Sequence, residues 1–281
     1  MKFRKAVLIP AIAVAVFLFM QTVFSLLGLF ALTRVAARIS DKAVMILLSS
    51  YDILLNSLYS VSMLASLFSN LVTAAVLCAL PFIARETPEE GLSVRECKYS
   101  VIPLSILFGI TASAAIGILW EMIPFPESMW DEYNALLGSI VVENNVITFL
   151  AVAIMAPITE ELLFRALICG GFSSAMPKWL AVFLSALIFG IIHGNLIQGS
   201  YAFCFGLILG FFFIRTRSVI PGILIHVGFN SASYFFAPLD SLPEMLAGSA
   251  MLIIAAASVL LFFILLFVTR DKTNASRPLV A

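Results

Sequence analysis

Charge is what this chain has least of. Only 11% of its 281 residues are Asp, Glu, Lys or Arg, where a soluble domain carries about a quarter. The two signs balance at 16 each, so there is no basic excess with which to hold nucleic acid. Histidine is rarer still, with two in the whole sequence. The four cysteines, Cys78, Cys97, Cys169 and Cys204, form no CxxC pair, and three of them lie in apolar runs. They read as small buried residues or free thiols rather than as a disulfide framework. Internal repeats and low-complexity tracts are missing, and so is the ten-residue alternation of a membrane β-barrel.

Hydrophobic residues, 62% of the chain, stand where the charge is missing. They fall in runs of about 20, the length a helix needs to cross the hydrocarbon core of a bilayer. Backbone groups in lipid must be satisfied internally, which favours helices. The expectation is an all-α polytopic membrane bundle of about eight transmembrane helices. Their ranges are 6–32, 57–84, 99–122, 144–169, 179–194, 200–214, 219–236 and 247–269. The first follows Met1-Lys2-Phe3-Arg4-Lys5 and is too long for a signal peptide, so it reads as an uncleaved helix. Residues 43–56 are apolar but broken by Asp52 and Asn56, and they read as an interfacial helix or an extension of span two, the interfacial reading being preferred. Residues 125–143 hold four acids and no Lys or Arg, which suits an exposed loop with a short surface helix. Cys169-Gly170-Gly171 reads as a helix end. The whole of 1–281 is taken as a single membrane domain, with a catalytic core at 144–236, a last span at 247–269 and a polar tail at 270–281.

The positive-inside rule gives an orientation. With a cytoplasmic N-terminus, twelve Lys and Arg residues fall inside, and only Arg34, Arg38 and Lys42 fall outside. An extra span at 43–56 would spoil that bias. Both termini are therefore expected in the cytoplasm of a multi-pass integral protein, in the plasma or cytoplasmic membrane if the source is prokaryotic.

Against this background a few residues stand out, because ionisable groups inside spans are costly. Span four holds Glu160, Glu161 and Arg165. His193, His226 and Asn230 lie in later spans. Glu161 and Arg165 are four apart with the acid first, the favourable order for an ion pair, and buried charges need partners. Glu160 is rotated about 100° from Glu161 and has no partner in its own helix. His226 and Asn230 share a face, as do Phe189 and His193, so that the Phe189 ring can buttress the imidazole. Counted at about 1.5 Å per residue, Glu160 lies about 13 Å from Cys169, His226 and Asn230 about 10 and 16 Å from Val219, and His193 about 21 Å from Trp179. The polar groups of antiparallel helices thus converge on one slab. Pro157, one turn before Glu160, either opens the helix or shapes its packing. The Glu161–Arg165 pair can equally be structural. Gly206 and Gly210 form a GxxxG, which alone is a weak signal.

A carboxylate, two imidazoles and an amide suffice for hydrolysis by water, with the carboxylate as general base and polar donors for the oxyanion. No G-x-S-x-G and no H-E-x-x-H is present. Zinc held by Glu160, His193 and His226 is chemically possible, since two His and a Glu form a known catalytic ligand set. The ordered motifs Glu160-Glu161-x-x-x-Arg165, Phe189-x-x-x-His193 and His226-x-x-x-Asn230 resemble the CPBP (ABI) family of membrane endopeptidases. That family includes the type II CAAX prenyl endopeptidases and bacteriocin-processing or self-immunity proteins. The resemblance covers about 144–236. It implies a bundle of eight-helix type with a site inside the membrane, open toward the cytosol. Glu160 would match the catalytic glutamate that activates water with His193. His226 and Asn230 would match the oxyanion pair, with Glu161, Arg165 and Phe189 in support. No cofactor is implied, and the substrate would be a membrane-associated protein or peptide, CAAX-like or otherwise, met among membrane lipid. The alternatives are a zinc-dependent hydrolase using the same residues and a non-catalytic membrane immunity or partner protein.

Overall fold

The computed structural model describes residues 2–36, 51–83, 92–141 and 146–270. These form nine helices and no strand. In chain order they are α1 (Lys2–Ala36), α2 (Tyr51–Ile83), α3 (Val101–Glu121), α4 (Glu127–Val141), α5 (Val146–Ser173), α6 (Lys178–Ile192), α7 (Leu196–Thr216), α8 (Ile220–Phe236) and α9 (Glu244–Val268). The protein is an all-helical polytopic membrane bundle.

All eight expected spans occur as helices, with α4 as the surface helix between spans three and four. Six of them, α1, α2, α3, α5, α7 and α9, are long and apolar enough to cross a membrane. The remaining two, α6 and α8, have 15 and 17 residues, and at about 1.5 Å per residue neither covers the ~30 Å hydrocarbon core by itself. These are the helices that lead to His193 and carry His226 and Asn230. Residues 51–56 continue α2, which corrects the preferred interfacial reading for that part; 43–50 and the tail from 271 lie outside the described residues. The helix end expected at Cys169-Gly170-Gly171 is also corrected: α5 runs on through both glycines to Ser173, so Glu160 sits near the middle of a 28-residue helix.

Lipid tails are as apolar as leucine, so close van der Waals approach is what holds membrane helices together. Here glycines allow it. A methyl group on Gly109 of α3 would overlap the backbone of Ile225 in α8, and one on Gly228 of α8 would overlap the backbone of Ile106 in α3. The two helices therefore touch backbone to backbone on both sides of His226. The α6–α7 pair repeats the device. Added methyls on Gly190 and Gly199 would lie 2.6 and 2.7 Å from each other's carbonyl oxygens, and one on Gly210 would lie 2.8 Å from Val182. The GxxxG of Gly206 and Gly210 is thus a packing seam against Ala186 and Val182. At one end of the bundle Arg215 donates to the Leu266 carbonyl at 2.7 Å and Lys98 to that of Val268 at 3.0 Å. Cations there meet the unpaired carbonyls closing α9.

Candidate active site

The site is built on an irregular stretch of α5. Residues Phe149–Met155 and Leu162–Cys169 form wide π-type turns, and Ala156–Glu161 between them is α-helical. Such bulges inside α-helices concentrate at functional sites. In the first wide stretch the Ala156 N–H bonds to Ala151 O, five residues back. The next bond of that register would join residue 157 to Val152 O, but Pro157 has no N–H. Val152 O is filled from another helix: Asn230 Nδ2 of α8 donates to it at 2.9 Å. A carbonyl can only accept, so the amide nitrogen of Asn230 must face it. One of its two N–H groups is used there, and the second remains for another acceptor.

Glu161 is fully buried, with Arg165 and His226 1% and 4% exposed. Glu161 Oε2 is 3.1 Å from Arg165 Nε, the expected ion pair, and Glu161 Oε1 is 3.0 Å from His226 Nδ1. The arginine contact is one of charge and not of aligned hydrogen bonding, since neither Glu161 Oε2 nor Arg165 Nε, Nη1 or Nη2 makes a hydrogen bond among the described residues. Its guanidinium instead lies over the Phe189 ring, 4.4 Å from the centroid, where the ring quadrupole favours a cation. A methyl group on Gly222, in the first turn of α8, would come within 2.9 Å of Glu161 Oε2. That close approach lets the N-terminal end of α8, where the helix dipole favours an anion, sit against the carboxylate.

Glu160 keeps a fifth of its side chain accessible and approaches the other nitrogen of the same imidazole, with Oε2 3.7 Å from His226 Nε2. One histidine thus stands between two adjacent carboxylates. His193 is placed differently. It caps the end of α6, where Gly194 turns the chain with φ +72°, a left-handed conformation that glycine adopts freely. Its Nδ1 donates to Phe189 O at 2.7 Å, which leaves Nε2 as the free nitrogen. Among the described residues no ion contact joins His193 to Glu160. The resemblance has Glu160 activate water with His193; the imidazole nitrogen that approaches Glu160 here is His226 Nε2. Phe189 packs edge-on to both rings, at 4.8 Å from His193 and 5.8 Å from His226. It therefore buttresses two imidazoles and an arginine, where its sequence position suggested one imidazole.

Three features escaped the sequence. Thr159, fully buried, donates to Asn70 O of α2 at 3.0 Å and ties an early span to the residue before Glu160. Val152 and Gly222 act through a backbone oxygen and an absent side chain, for which sequence patterns have no mark. A groove of about 470 Å³ between α6 and α7, walled by Leu187, Gly190, Ile191 and Phe203, lies outside the polar group. For zinc, Glu160, His193 and His226 would have to meet at one ion. Among the described residues no three His, Cys, Asp or Glu side chains are gathered closely enough to hold a metal, so the residues as placed do not fit that ligand set.

Residues 142–232, which carry every one of these groups, match the family described as type II CAAX prenyl endopeptidase Rce1-like. The chain is also similar to the candidate membrane peptidase YdiL of Bacillus subtilis, 27% identical over 171 residues that make up 59% of this chain and 69% of YdiL. It is 35% identical over 83 residues to the UPF0177 protein YbdI of Lactococcus lactis subsp. lactis, spanning 29% of this chain and 44% of that protein. No solved structure matches. The protein is thus a multi-pass membrane protein whose segment from α5 to α8 is similar to the Rce1-like endopeptidases.

Proposed function

We propose that this protein is an intramembrane endopeptidase in which Glu160 activates water against a peptide bond of a membrane-associated substrate. The observation that carries the reading is the position of Glu160. It is the partly accessible carboxylate of the group, next to an imidazole whose far nitrogen is tied to a second, buried carboxylate. With Nδ1–H committed to Glu161, a neutral His226 presents Nε2 as an acceptor toward Glu160. Glu160 takes a proton from water as the oxygen attacks the scissile carbonyl. Passing that proton to Nε2 makes His226 an imidazolium that Glu161 stabilises, and His226 then donates it to the leaving amine. The free N–H of Asn230 supports the developing oxyanion, and one such donor is typically worth about 10²–10³ in rate. His193, whose Nε2 is free, is assigned to the substrate side. No metal enters any step.

The test is comparison of protein N-termini in membranes from cells carrying wild type or Glu160→Gln. Gln keeps the shape but cannot take a proton. Neo-termini present with wild type and lost with a stably folded Glu160→Gln identify the substrate and support the proposal. Identical profiles overturn it. Near-stoichiometric zinc in purified protein, together with cleavage abolished by chelators, would replace the glutamate mechanism with the metal one.

A further inference from the structure

We propose that Pro157 is a positioning residue for Asn230, acting through the N–H it lacks; this rests on the endopeptidase reading above. Three donors could reach the Val152 oxygen, two from its own helix and one from α8. In an α-helical register Val152 O would accept from residue 156, and in the π-type register from residue 157. Ala156 N–H is given to Ala151 O, and residue 157 is proline, so both donors of the ladder are unavailable. A carbonyl facing the protein interior must find a partner, and the partner it has is Asn230 Nδ2, 2.9 Å away on α8. The bond does more than satisfy Val152. It fixes which end of the Asn230 amide faces α5, and so where the remaining N–H points. It also ties α8 to α5 about two turns before Glu160. An amino acid with an N–H at 157 could extend the wide register by one bond, fill Val152 O from within the helix and release the amide. Proline thus acts here chiefly by keeping a lone pair available, beyond any bend it imposes.

This separates the missing N–H from the ring. Replacing Pro157 by alanine restores the N–H. Replacing it by the α-hydroxy analogue of alanine, so that the backbone carries an ester at this point, removes the ring but still supplies no donor. The readout is the rate of appearance of the Glu160-dependent neo-termini in membranes, normalised to folded protein by detergent-solubilised melting. Pro157→Ala should slow cleavage at least tenfold, toward the loss given by Asn230→Ala, and the ester variant should stay within about threefold of wild type. In an Asn230→Ala background Pro157→Ala should cause no further loss, the non-additivity expected of groups acting through one contact. Full activity of Pro157→Ala, equal losses for alanine and ester, or multiplicative losses in the double variant would each overturn the inference. If Pro157→Ala does not fold, the ester variant decides: activity near wild type supports the inference, and a loss equal to that of Asn230→Ala overturns it. If no neo-terminus depends on Glu160, the endopeptidase reading itself falls and takes this inference with it, an outcome distinct from the others.

Discussion

His226 and Glu161 are joined at 3.0 Å through Nδ1 and Oε1, and that bond determines which ring nitrogen the histidine turns toward Glu160. Without it the imidazole could flip or change tautomer, and the proton path of the proposed mechanism would have no fixed direction. Glu161, assigned to support by its place in the motif, is thus the hinge between the arginine that neutralises it and the histidine that it orients.

Removing either member of the buried pair should therefore harm fold and function together. Glu161→Gln or Arg165→Ala leaves a charge uncompensated at 0–1% exposure, a change that typically costs about 3–5 kcal/mol. We expect melting temperature in detergent and cleavage of the Glu160-dependent substrate to fall in parallel. A Glu161→Gln protein with wild-type melting but no activity would show that Glu161 acts through the His226 proton path alone and not through the stability of the buried pair.

Asn230 and His193 should behave unlike that pair. Asn230→Ala should leave a slow enzyme, reduced by about 10²–10³, with modest loss of stability from the freed Val152 carbonyl. His193→Ala should slow cleavage through the substrate side of the site while the fold survives, because its ring is partly exposed at a helix end and its Nδ1 serves only a backbone oxygen. Rates and melting curves of the two purified variants check this. Unchanged cleavage by His193→Ala would remove it from the site.

The glycine seam between α3 and α8 offers a test of how His226 is placed. Gly109→Ala and Gly228→Ala each force a methyl into facing backbone, and overpacking of this kind typically costs about 1–3 kcal/mol. Both should lower the melting temperature and depress activity by displacing α8. Gly117→Ala and Gly248→Ala, whose added methyls meet nothing within 4 Å, should melt at or slightly above wild type, since alanine favours helix over glycine by about 1 kcal/mol. Equal behaviour of the two sets would show that the close approach does not hold the bundle.

Topology is testable without a substrate. In a background with the four native cysteines replaced by alanine, single cysteines introduced within 127–132 and within 271–281 should react with membrane-impermeant thiol reagents from opposite sides. The tail should label only when the cytoplasmic face is open. Labelling of both from the same side would refute the orientation derived from the Lys and Arg bias.

Much of the site could be read from spacing. Glu161 and Arg165 pair as an i, i+4 relation predicts, since a helix fixes that distance locally. Pro157 was visible as an anomaly, but its consequence depends on which carbonyl a distant asparagine reaches. The pairing of Glu160 with His226 rather than His193 depends on how three helices are rotated about their axes, and a single helix's pattern does not contain that. The length of α5 was underestimated because glycines at 170 and 171 usually end soluble helices. Inside a membrane the backbone has no water to turn to, so the helix continues.

By itself, the amino-acid sequence determined that the chain lives in a membrane, that it is helical, and which few polar side chains are too costly there to be incidental. Those follow from transfer free energies and helical periodicity, which are properties of short segments. Only the tertiary structure decided which imidazole meets which carboxylate, that Gly109 and Gly228 let α8 approach α3 backbone to backbone, and that Asn230 completes a helix to which it does not belong. These contacts are set by distances of a few ångströms between residues tens to more than a hundred positions apart, and no local pattern encodes them.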